Sequence, residues 1–260
     1  MLDKIKTLEG FKLDSLNGTI GSVKEFYFDD KHWTIRYLVA ETGTWLENRQ
    51  VLISPYALTF VDKEAKTISV DLSRKQIEGS PSLDTDKPVS RHYEETFYKY
   101  YGWQTYWDGP FAWGNYPYLA RTMKEEKNSI QPEKAWDSHL RSTRDVTGHS
   151  IVATDGEIGH VEDFILDDDN WMIRYLVVDT RNWWPGKKVL ISPRWIDTIS
   201  WSESSVRLNL TRAAIQGSPE YTEGSLVTRA YEDELHGHYN REGYWVGELA
   251  ARENSRQTRS

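Results

Sequence analysis

Short apolar runs with a period of two residues recur along the chain, separated by turn-forming residues. Between Trp33 and Thr42, apolar and polar residues first alternate and then both parities become apolar. That pattern predicts a strand that starts at a rim and continues into a core. A second run alternates strictly at Ile68, Val70 and Leu72, and the apolar run "VLISP" predicts a short strand that ends at Pro55. The acidic turn "DDKH" between two such runs predicts a hairpin, so the chain is expected to be mainly β.

The same elements occur twice in the sequence. The pentapeptide "IRYLV" stands at Ile35–Val39 and again at Ile173–Val177, 138 positions later. Without any gap, Gly10–Tyr101 aligns with Gly148–Tyr239, and 32 of the 92 aligned positions are identical. A repeat of this length indicates a duplicated domain rather than a solenoid. Each copy is predicted to supply five or six short strands, enough to close a small barrel without a long exposed edge.

Two short helices are predicted after the strands of each copy. Ser73, with Gln76 three residues later, has the pattern of a capping box, and Gly79 is expected to end that helix. The next helix is predicted to begin at Ser90 in the first copy and at Thr228 in the second. Its expected apolar stripe consists of Tyr93, Phe97, Tyr100 and Tyr101, and of Tyr231, Leu235, His238 and Tyr239 in the second copy. We expect this stripe to pack on its own barrel or on the other copy.

The second copy contains "GEIGHVEDFILDDDNWMIRYLVVDT", followed by "KKVLISP", "GSP" and "VTRAYED". This succession resembles the PRC-barrel family, and the first copy resembles it more distantly. That family includes the cytoplasmic domain of the photosynthetic reaction centre H subunit, the C-terminal domain of the ribosome maturation factor RimM, and stand-alone bacterial proteins. The resemblance implies small β-barrels that act as binding and assembly modules, without a catalytic constellation that belongs to the fold.

The predicted organisation has four parts. A first PRC-type barrel with its C-terminal helix occupies residues 1–101, and an aromatic, Gly- and Pro-rich irregular linker occupies residues 102–141. A second barrel with its helix occupies residues 142–247, and a polar tail occupies residues 248–260. The first part of the linker, "GWQTYWDGPFAWGNYPYL", carries seven large rings: Trp103, Tyr106, Trp107, Phe111, Trp113, Tyr116 and Tyr118. Disordered linkers are poor in aromatic residues, so we expect these rings to pack as a clamp over the barrels. The alternative is that some of them stay exposed as a docking platform.

Composition narrows the range of partners and locations. The 32 basic and 40 acidic residues give a net charge of −8, without the basic face that a nucleic acid partner demands. There are no cysteines, which fits a reducing compartment. The start "MLDKIKTLEG" lacks the apolar core of a signal peptide, and no apolar run approaches the roughly 20 residues of a membrane span. A cytoplasmic protein is expected, and the resemblance to the reaction centre subunit leaves peripheral association with a membrane complex open.

No motif in the sequence indicates catalysis or a cofactor. Metalloprotease, phosphate-loop, dinucleotide-binding and nucleophile-elbow patterns are absent from the sequence. The densest acidic groups, Asp29–Asp30 and Asp167–Asp169, are interpreted as turn formers, because they lack the spaced oxygen ligands of a calcium loop. We therefore expect a non-catalytic module that binds another protein or itself. The alternative is a small-ligand or carbohydrate binder that uses exposed Trp and Tyr surfaces between the barrels.

Two groups of residues are candidates for a site. The proposed contact residues lie in the loops after the "IRYLV" strands and in the linker: Trp45, Trp183, Trp184, Lys187, Lys188, Trp103, Trp107 and Trp113. The second group is structural. Arg36 and Arg174 lie in the middle of apolar strands, where an arginine needs a partner. The acids expected across the hairpin are Glu25 and Asp163.

Overall fold

Strands and short helices follow one another in the same order in both repeats. The computed structural model describes residues 1–83, 89–121, 139–180, 187–222 and 224–248. The first repeat contains β1 (Leu2–Lys4), α1 (Ile5–Leu8), β2 (Lys12–Ser15), β3 (Gly18–Asp29), β4 (Thr34–Glu41), β5 (Gln50–Ile53), β6 (Leu58–Asp62), β7 (Thr67–Val70), α2 (Arg74–Glu78) and α3 (Arg91–Tyr101). The second contains β8 (Leu140–Ser142), α4 (Thr143–Val146), β9 (Ser150–Ala153), β10 (Gly156–Asp167), β11 (Met172–Asp179), β12 (Lys188–Ile191), β13 (Ile196–Ser200), β14 (Ser205–Leu208), α5 (Arg212–Gln216) and α6 (Arg229–His238). The prediction of a mainly β chain is confirmed.

The described residues form two compact units whose boundaries differ from those of the sequence repeats. The first unit lies within Lys6–Arg144 and Asp168–Met172, and therefore includes β8 from the second repeat. The second unit lies within Met1–Ile5, Asp145–Asp167 and Ile173–Ser260, and therefore includes β1 from the first repeat. Each unit thus contains a strand that the other repeat encodes.

Each unit has the same strand order. In the first unit the order is β5–β4–β3–β2–β7–β6, antiparallel except for the parallel pair β2–β7, with β8 antiparallel to β3. In the second unit the order is β12–β11–β10–β9–β14–β13, with β9–β14 parallel and β1 antiparallel to β10. Across the described residues both ladders are open paths, so the expectation of strands that close into a hydrogen-bonded ring is wrong. The long strands β3 and β10 instead pair with a different neighbour near each end.

A glycine allows the long strand of each unit to bend. The β2–β3 register shifts beside Gly21, which has a φ of +136°, and the β9–β10 register shifts beside Gly159, with a φ of +153°. A Cβ atom at Gly21 would overlap the carbonyl oxygen of Glu41, and one at Gly159 would overlap that of Asp179. Only glycine fits both this backbone conformation and this close approach.

The predicted helix starts are confirmed, and so is the predicted end of α2 at Gly79. The Ser73 hydroxyl accepts the backbone N–H of Gln76, whose side chain in turn accepts the N–H of Ser73, which completes the capping box of α2. Ser90 caps α3, and Thr228 caps α6 in the same way. Gly102 ends α3 in the left-handed conformation, with a φ of 67°. Within the described ranges, no helix combines the length and the apolar character that crossing a membrane requires.

The buried face of α3 differs from the predicted stripe. Phe97 is buried as expected, but Tyr100 is 44% exposed, and Tyr98 is buried in its place. Glu94 also lies on the buried face and is fully inaccessible to solvent. The predicted stripe of α3 rests on the positions of its aromatic rings alone. A carboxylate can lie on the buried face as well, because Glu94 has hydrogen-bonding partners inside the first unit.

Candidate functional site

The two strand arginines are buried and ion-paired. Nη2 of Arg36 lies 2.6 Å from Oδ2 of Asp29, and Nε donates to the same oxygen at 2.7 Å. In the second unit, Nη2 of Arg174 lies 2.7 Å from Oδ2 of Asp167. Glu248 adds a second carboxylate, whose Oε1 lies 2.5 Å from Nη1 of Arg174. Charge-assisted bonds of this kind are the strongest polar contacts in protein interiors.

The acids in these pairs are not the predicted ones. Arg36 pairs with Asp29, four residues beyond Glu25, and Glu25 instead accepts the hydroxyl of Ser142. The Arg174 pair is shifted by the same four residues, because Asp167 takes the role expected of Asp163. The register between β3 and β4 shifts beside Arg36, so a simple hairpin register places its side chain wrongly.

Asp29 also organises the hairpin turn, as a turn-forming aspartate does. Its Oδ1 accepts the backbone N–H of His32 at 2.7 Å. Burial alone opposes ionisation of this carboxyl. The charge of Arg36 and the bonds from His32 outweigh burial and hold the pKa of Asp29 below its ordinary value. The carboxylate is therefore charged and satisfied in the fold.

Aromatic rings cover the buried arginines. The guanidinium carbon of Arg36 lies 3.8 Å from the ring centroid of Tyr106 and 4.8 Å from that of Trp113. In the second unit, Arg174 lies 3.9 Å from the ring centroid of Tyr244. Such cation–π contacts are worth about 2 kcal/mol or more when they are desolvated.

A buried glutamate connects the rings to the helix. Oε1 of Glu94 accepts the hydroxyls of Tyr37 at 2.9 Å and Tyr106 at 2.7 Å, and Oε2 lies 2.9 Å from Nη1 of Arg91. Burial raises the pKa of Glu94, although Arg91 and the two tyrosines act in the opposite direction. Its carboxyl group is thus shared among a strand, a helix and the segment that follows the helix.

The second unit repeats this arrangement residue by residue. Tyr175 donates to Glu232 at 2.8 Å, and Arg229 lies 3.0 Å from Glu232. We call the set the arginine–tyrosine–glutamate cluster. Its members are Asp29, Arg36, Tyr37, Arg91, Glu94 and Tyr106 in the first unit, and Asp167, Arg174, Tyr175, Arg229, Glu232 and Tyr244 in the second. Every pair is 138 positions apart.

The sequence contained a signal for this cluster beyond the predicted end of the repeat at Tyr101. The dipeptide "YW" occurs at Tyr106–Trp107 and at Tyr244–Trp245, which keeps the same offset of 138. Arg91 lies 4.2 Å from the Trp107 ring centroid. The equivalent distance from Arg229 to Trp245 is 3.9 Å. The start of the predicted linker therefore belongs to the repeated architecture.

The loop tryptophan and the lysines of the predicted contact rim are engaged within their own units. Nε1 of Trp45 donates to the carbonyl of Ile20 at 2.8 Å, and the ring is half-buried. Nζ of Lys187 donates to the carbonyl oxygens of Gln216 and Ser218, at 2.6 and 2.7 Å. Trp183 and Trp184 lie outside the described residues.

Lys187 has a structural counterpart in the first unit. Arg49, at the equivalent position, donates to the carbonyls of Glu78 and Ser80 at 3.2 and 2.6 Å. Both cations thus satisfy carbonyl groups at the C-terminal end of a short helix, a position that favours positive charge. Lys188 lies 2.7 Å from Glu162. Both lysines of the predicted positive patch are therefore engaged within the unit, Lys187 by backbone carbonyls and Lys188 by a carboxylate.

The three linker tryptophans differ in accessibility. Trp113 is fully buried, and its Nε1 donates to the carbonyl of Asn170 at 3.1 Å, so its prediction as a contact residue is corrected. It fills space above Arg36 and next to Tyr56, whose ring centroid lies 5.4 Å away. Trp103 and Trp107 are half-buried and remain candidates for contact.

Trp103 belongs to a series of adjoining aromatic rings on the first unit. It lies 4.4 Å from Tyr101 at an interplanar angle of 12°, and 5.9 Å from Tyr56 at 24°. Tyr101 in turn lies 4.8 Å from Tyr100 in an edge-on contact at 87°, and Tyr100 is 44% exposed. We call Tyr56, Trp103, Tyr101 and Tyr100 the aromatic ladder.

The second unit has different chemistry at the positions of the ladder. Arg194, Arg241 and His238 stand where the first unit has Tyr56, Trp103 and Tyr100, and all three are exposed. Tyr239 alone retains a ring, at the position of Tyr101. The cluster is therefore common to both units, whereas the ladder belongs to the first unit.

Comparison with known proteins agrees with the two-unit arrangement. No curated protein matches the chain at a significant level. The PRC-barrel domain family matches residues 9–77 and residues 140–202, once in each repeat. The two matches cover the strands that carry both buried arginines. The chain belongs to the PRC-barrel domain family.

Proposed function

We propose that this protein is a non-catalytic interaction or assembly module, and that the aromatic ladder of the first unit is its docking surface. The observation that supports this proposal is a group of adjoining rings, three of which, Trp103, Tyr101 and Tyr100, remain partly exposed. Large rings supply most of the binding energy of protein interfaces, and leaving them in water is unfavourable. Membership of the PRC-barrel family supports a binding role in general terms.

The arginine–tyrosine–glutamate cluster supports a structural rather than a reactive role for the buried charges. The Glu94 carboxylate is bonded to Tyr37, Tyr106 and Arg91, and the Asp29 carboxylate is bonded to Arg36. Groups that satisfy one another in this way hold the helix and the following segment against the strands. The cluster therefore provides a rigid base for the ladder.

The partner we propose is another protein, or a second copy of this chain. The net charge of −8 disfavours nucleic acid. We further propose a cytoplasmic location, which includes peripheral attachment to a membrane complex through the same surface. Fractionation of cells that express the chain at its native level tests the location.

A double variant, Tyr100→His with Trp103→Arg, tests the docking surface. It installs the residues that the second repeat has at these positions, His238 and Arg241. Tyr100 donates to the carbonyl of Gln76 at 2.9 Å, and His238 contacts the equivalent carbonyl of Ala214 at 2.7 Å. The substitution therefore retains the local contact while it removes the ladder.

The matched control is Phe60→Thr, which removes an aromatic ring that is 61% exposed elsewhere on the first unit and installs the residue found at Thr198. Quantitative affinity capture from native lysate, together with sedimentation velocity, measures partner binding and self-association. We expect both to fall at least tenfold in the double variant and to stay unchanged in the control. The proposal fails if the wild type shows no specific association, or if the double variant retains it. Binding to a glycan array that is lost only in the double variant would assign the ladder to carbohydrate instead.

A further inference from the structure

We infer that the second half of the long strand in each unit is a strand-acceptor edge, and that the segment it fits is the first strand of the other repeat. In the second unit, β1 pairs with β10 through Leu2↔Asp167, Asp3↔Leu166 and Lys4↔Ile165. In the first unit, β8 pairs with β3 through Leu140↔Asp29, Arg141↔Phe28 and Ser142↔Tyr27. All three pairs correspond at the offset of 138, so equivalent strands have been exchanged between equivalent edges.

Side chains reinforce the exchange in the first unit. Nε of Arg141 lies 3.0 Å from Oδ2 of Asp30, and the Ser142 hydroxyl donates to Glu25. Leu140 is 8% exposed and adds to the apolar core of that unit. The donated strand therefore contributes backbone pairing, an ion pair and buried apolar surface together.

The second unit receives its strand in a related way. Ile5, the residue after β1, is 1% exposed and belongs to the second unit. The ammonium group of Lys4 lies 5.7 Å from the ring centroid of Tyr221. The N-terminal five residues thus serve the core of a unit whose other strands begin 140 or more positions later.

The acceptor edges need an occupant for a physical reason. Phe28 of β3 and Leu166 of β10 are fully buried, so an open edge there would leave backbone groups unpaired beside apolar side chains. A single repeat would expose its acceptor edge while carrying an unpaired first strand. Two copies complete each other, and the tandem chain joins both copies covalently.

The two repeats should consequently remain associated when the chain between them is cut. The test cuts the full chain after folding, at a protease site inserted within residues 122–138. We expect the fragments to elute together at micromolar concentration. The hairpin tip Asp168–Met172 of the second repeat also belongs to the first unit, where Trp171 is buried, so it too holds the fragments together. The contribution of β1 and β8 is therefore measured by comparing variants of these two strands.

The deciding variants are Asp3→Pro with Arg141→Pro, compared with Asp3→Ala with Arg141→Ala. Proline cannot donate to a strand ladder, whereas alanine removes the same side chains and preserves the ladder. We expect the dissociation constant of the cleaved proline variant to be at least tenfold higher than that of the alanine variant. Equal dissociation constants, or separation of the wild-type fragments, would overturn the inference.

A second measurement applies if the proline variant does not refold after cleavage. In the uncleaved chain with Asp3→Pro alone, hydrogen exchange should accelerate at least tenfold in the second half of β10. The central strand β11 should keep its protection. Unchanged exchange at Leu166 and Asp167 would show that β1 does not occupy this edge.

Discussion

The guanidinium carbon of Arg36 lies 3.8 Å from the ring centroid of Tyr106, and Arg174 lies 3.9 Å from Tyr244. In both units a strand arginine is therefore covered by a tyrosine from the segment after the helix. Desolvation strengthens the attraction between a guanidinium and a ring, and it makes loss of either partner costly. This contact, together with the buried glutamate, connects the strands to the segment that carries the proposed docking surface.

Replacement of Arg36 by leucine should lower the free energy of unfolding by about 3–5 kcal/mol, because it leaves the buried Asp29 without its cation. Arg174→Leu should have an effect of the same sign, since it removes the partner of Asp167 and Glu248. Urea denaturation measures both. Arg141→Leu, which breaks a partly exposed pair with Asp30, is the control and should cost about 1 kcal/mol or less. A small effect for Arg36→Leu would contradict the assigned role of the pair.

Glu94→Gln should change how stability depends on pH. Burial raises the pKa of Glu94 above its ordinary value of 4.5, so the folded state holds this proton more tightly than the unfolded chain does. Its contribution is therefore fully present below pH 4.5 and is lost as the pH rises through the folded-state pKa.

We expect the stability of the wild type relative to Glu94→Gln to fall across this window, by at most about 1.4 kcal/mol per pH unit. Urea midpoints of both proteins between pH 4 and pH 8 provide the measurement. The difference in stability between the two proteins reports on Glu94 alone, because both proteins retain Asp29. The lowered pKa of Asp29 makes stability rise with pH, which is opposite to the effect of Glu94. Parallel curves for the two proteins would refute the assignment.

Gly21→Ala should be far more destabilising than a glycine replacement elsewhere. A Cβ atom there would overlap the carbonyl oxygen of Glu41. We expect a loss of about 3 kcal/mol or more, or failure to fold. Gly10→Ala is the control, because it has a φ of +81° but open space around the added carbon, and should cost about 1 kcal/mol. Similar losses for the two variants would mean that the close approach to β4 is not required.

Trp113 and Trp103 should respond oppositely in binding and stability measurements. Trp113→Ala creates a cavity above Arg36 and should cost about 3–5 kcal/mol in unfolding free energy. Trp103→Ala removes a half-buried ring, so it should cost less stability while it weakens partner binding. Thermal denaturation and affinity capture of the two variants separate these effects. Loss of binding in Trp113→Ala at full stability would show that Trp113 is a contact residue after all.

Tyr106→Phe should isolate the hydrogen bonds of the Tyr106 hydroxyl. The ring over Arg36 remains, but the bond to Glu94 and the bond accepted from Arg91 at 3.3 Å are lost, at a cost of about 2 kcal/mol. Tyr106→Ala should cost about 3–5 kcal/mol, because ring burial and the cation–π contact also disappear. Equal losses in the two variants, measured by urea denaturation, would show that the ring does not contribute.

Local patterns in the sequence were sufficient for much of the fold. The duplication, the strand around "IRYLV", the hairpin turn at Asp29 and the capping of α2 by Ser73 all follow from neighbouring residues. These features depend on backbone geometry and hydrogen bonds within a few positions, so the amino-acid order specifies them directly. The same locality explains why the second repeat reproduces them.

Only the tertiary structure decided which residues distant in sequence pair with each other. A register shift beside Arg36 selected Asp29 rather than Glu25, and packing buried Trp113 while Trp103 stayed accessible. The exchange of β1 and β8 is the clearest case, because the two acceptor edges and the two strands that pair with them occupy equivalent positions of the repeat. The sequence by itself determined that there are two copies of each element. Chain connectivity and tertiary packing decided which repeat supplies the strand of each unit. Backbone hydrogen bonds could not decide this, because they are the same whichever repeat donates the strand.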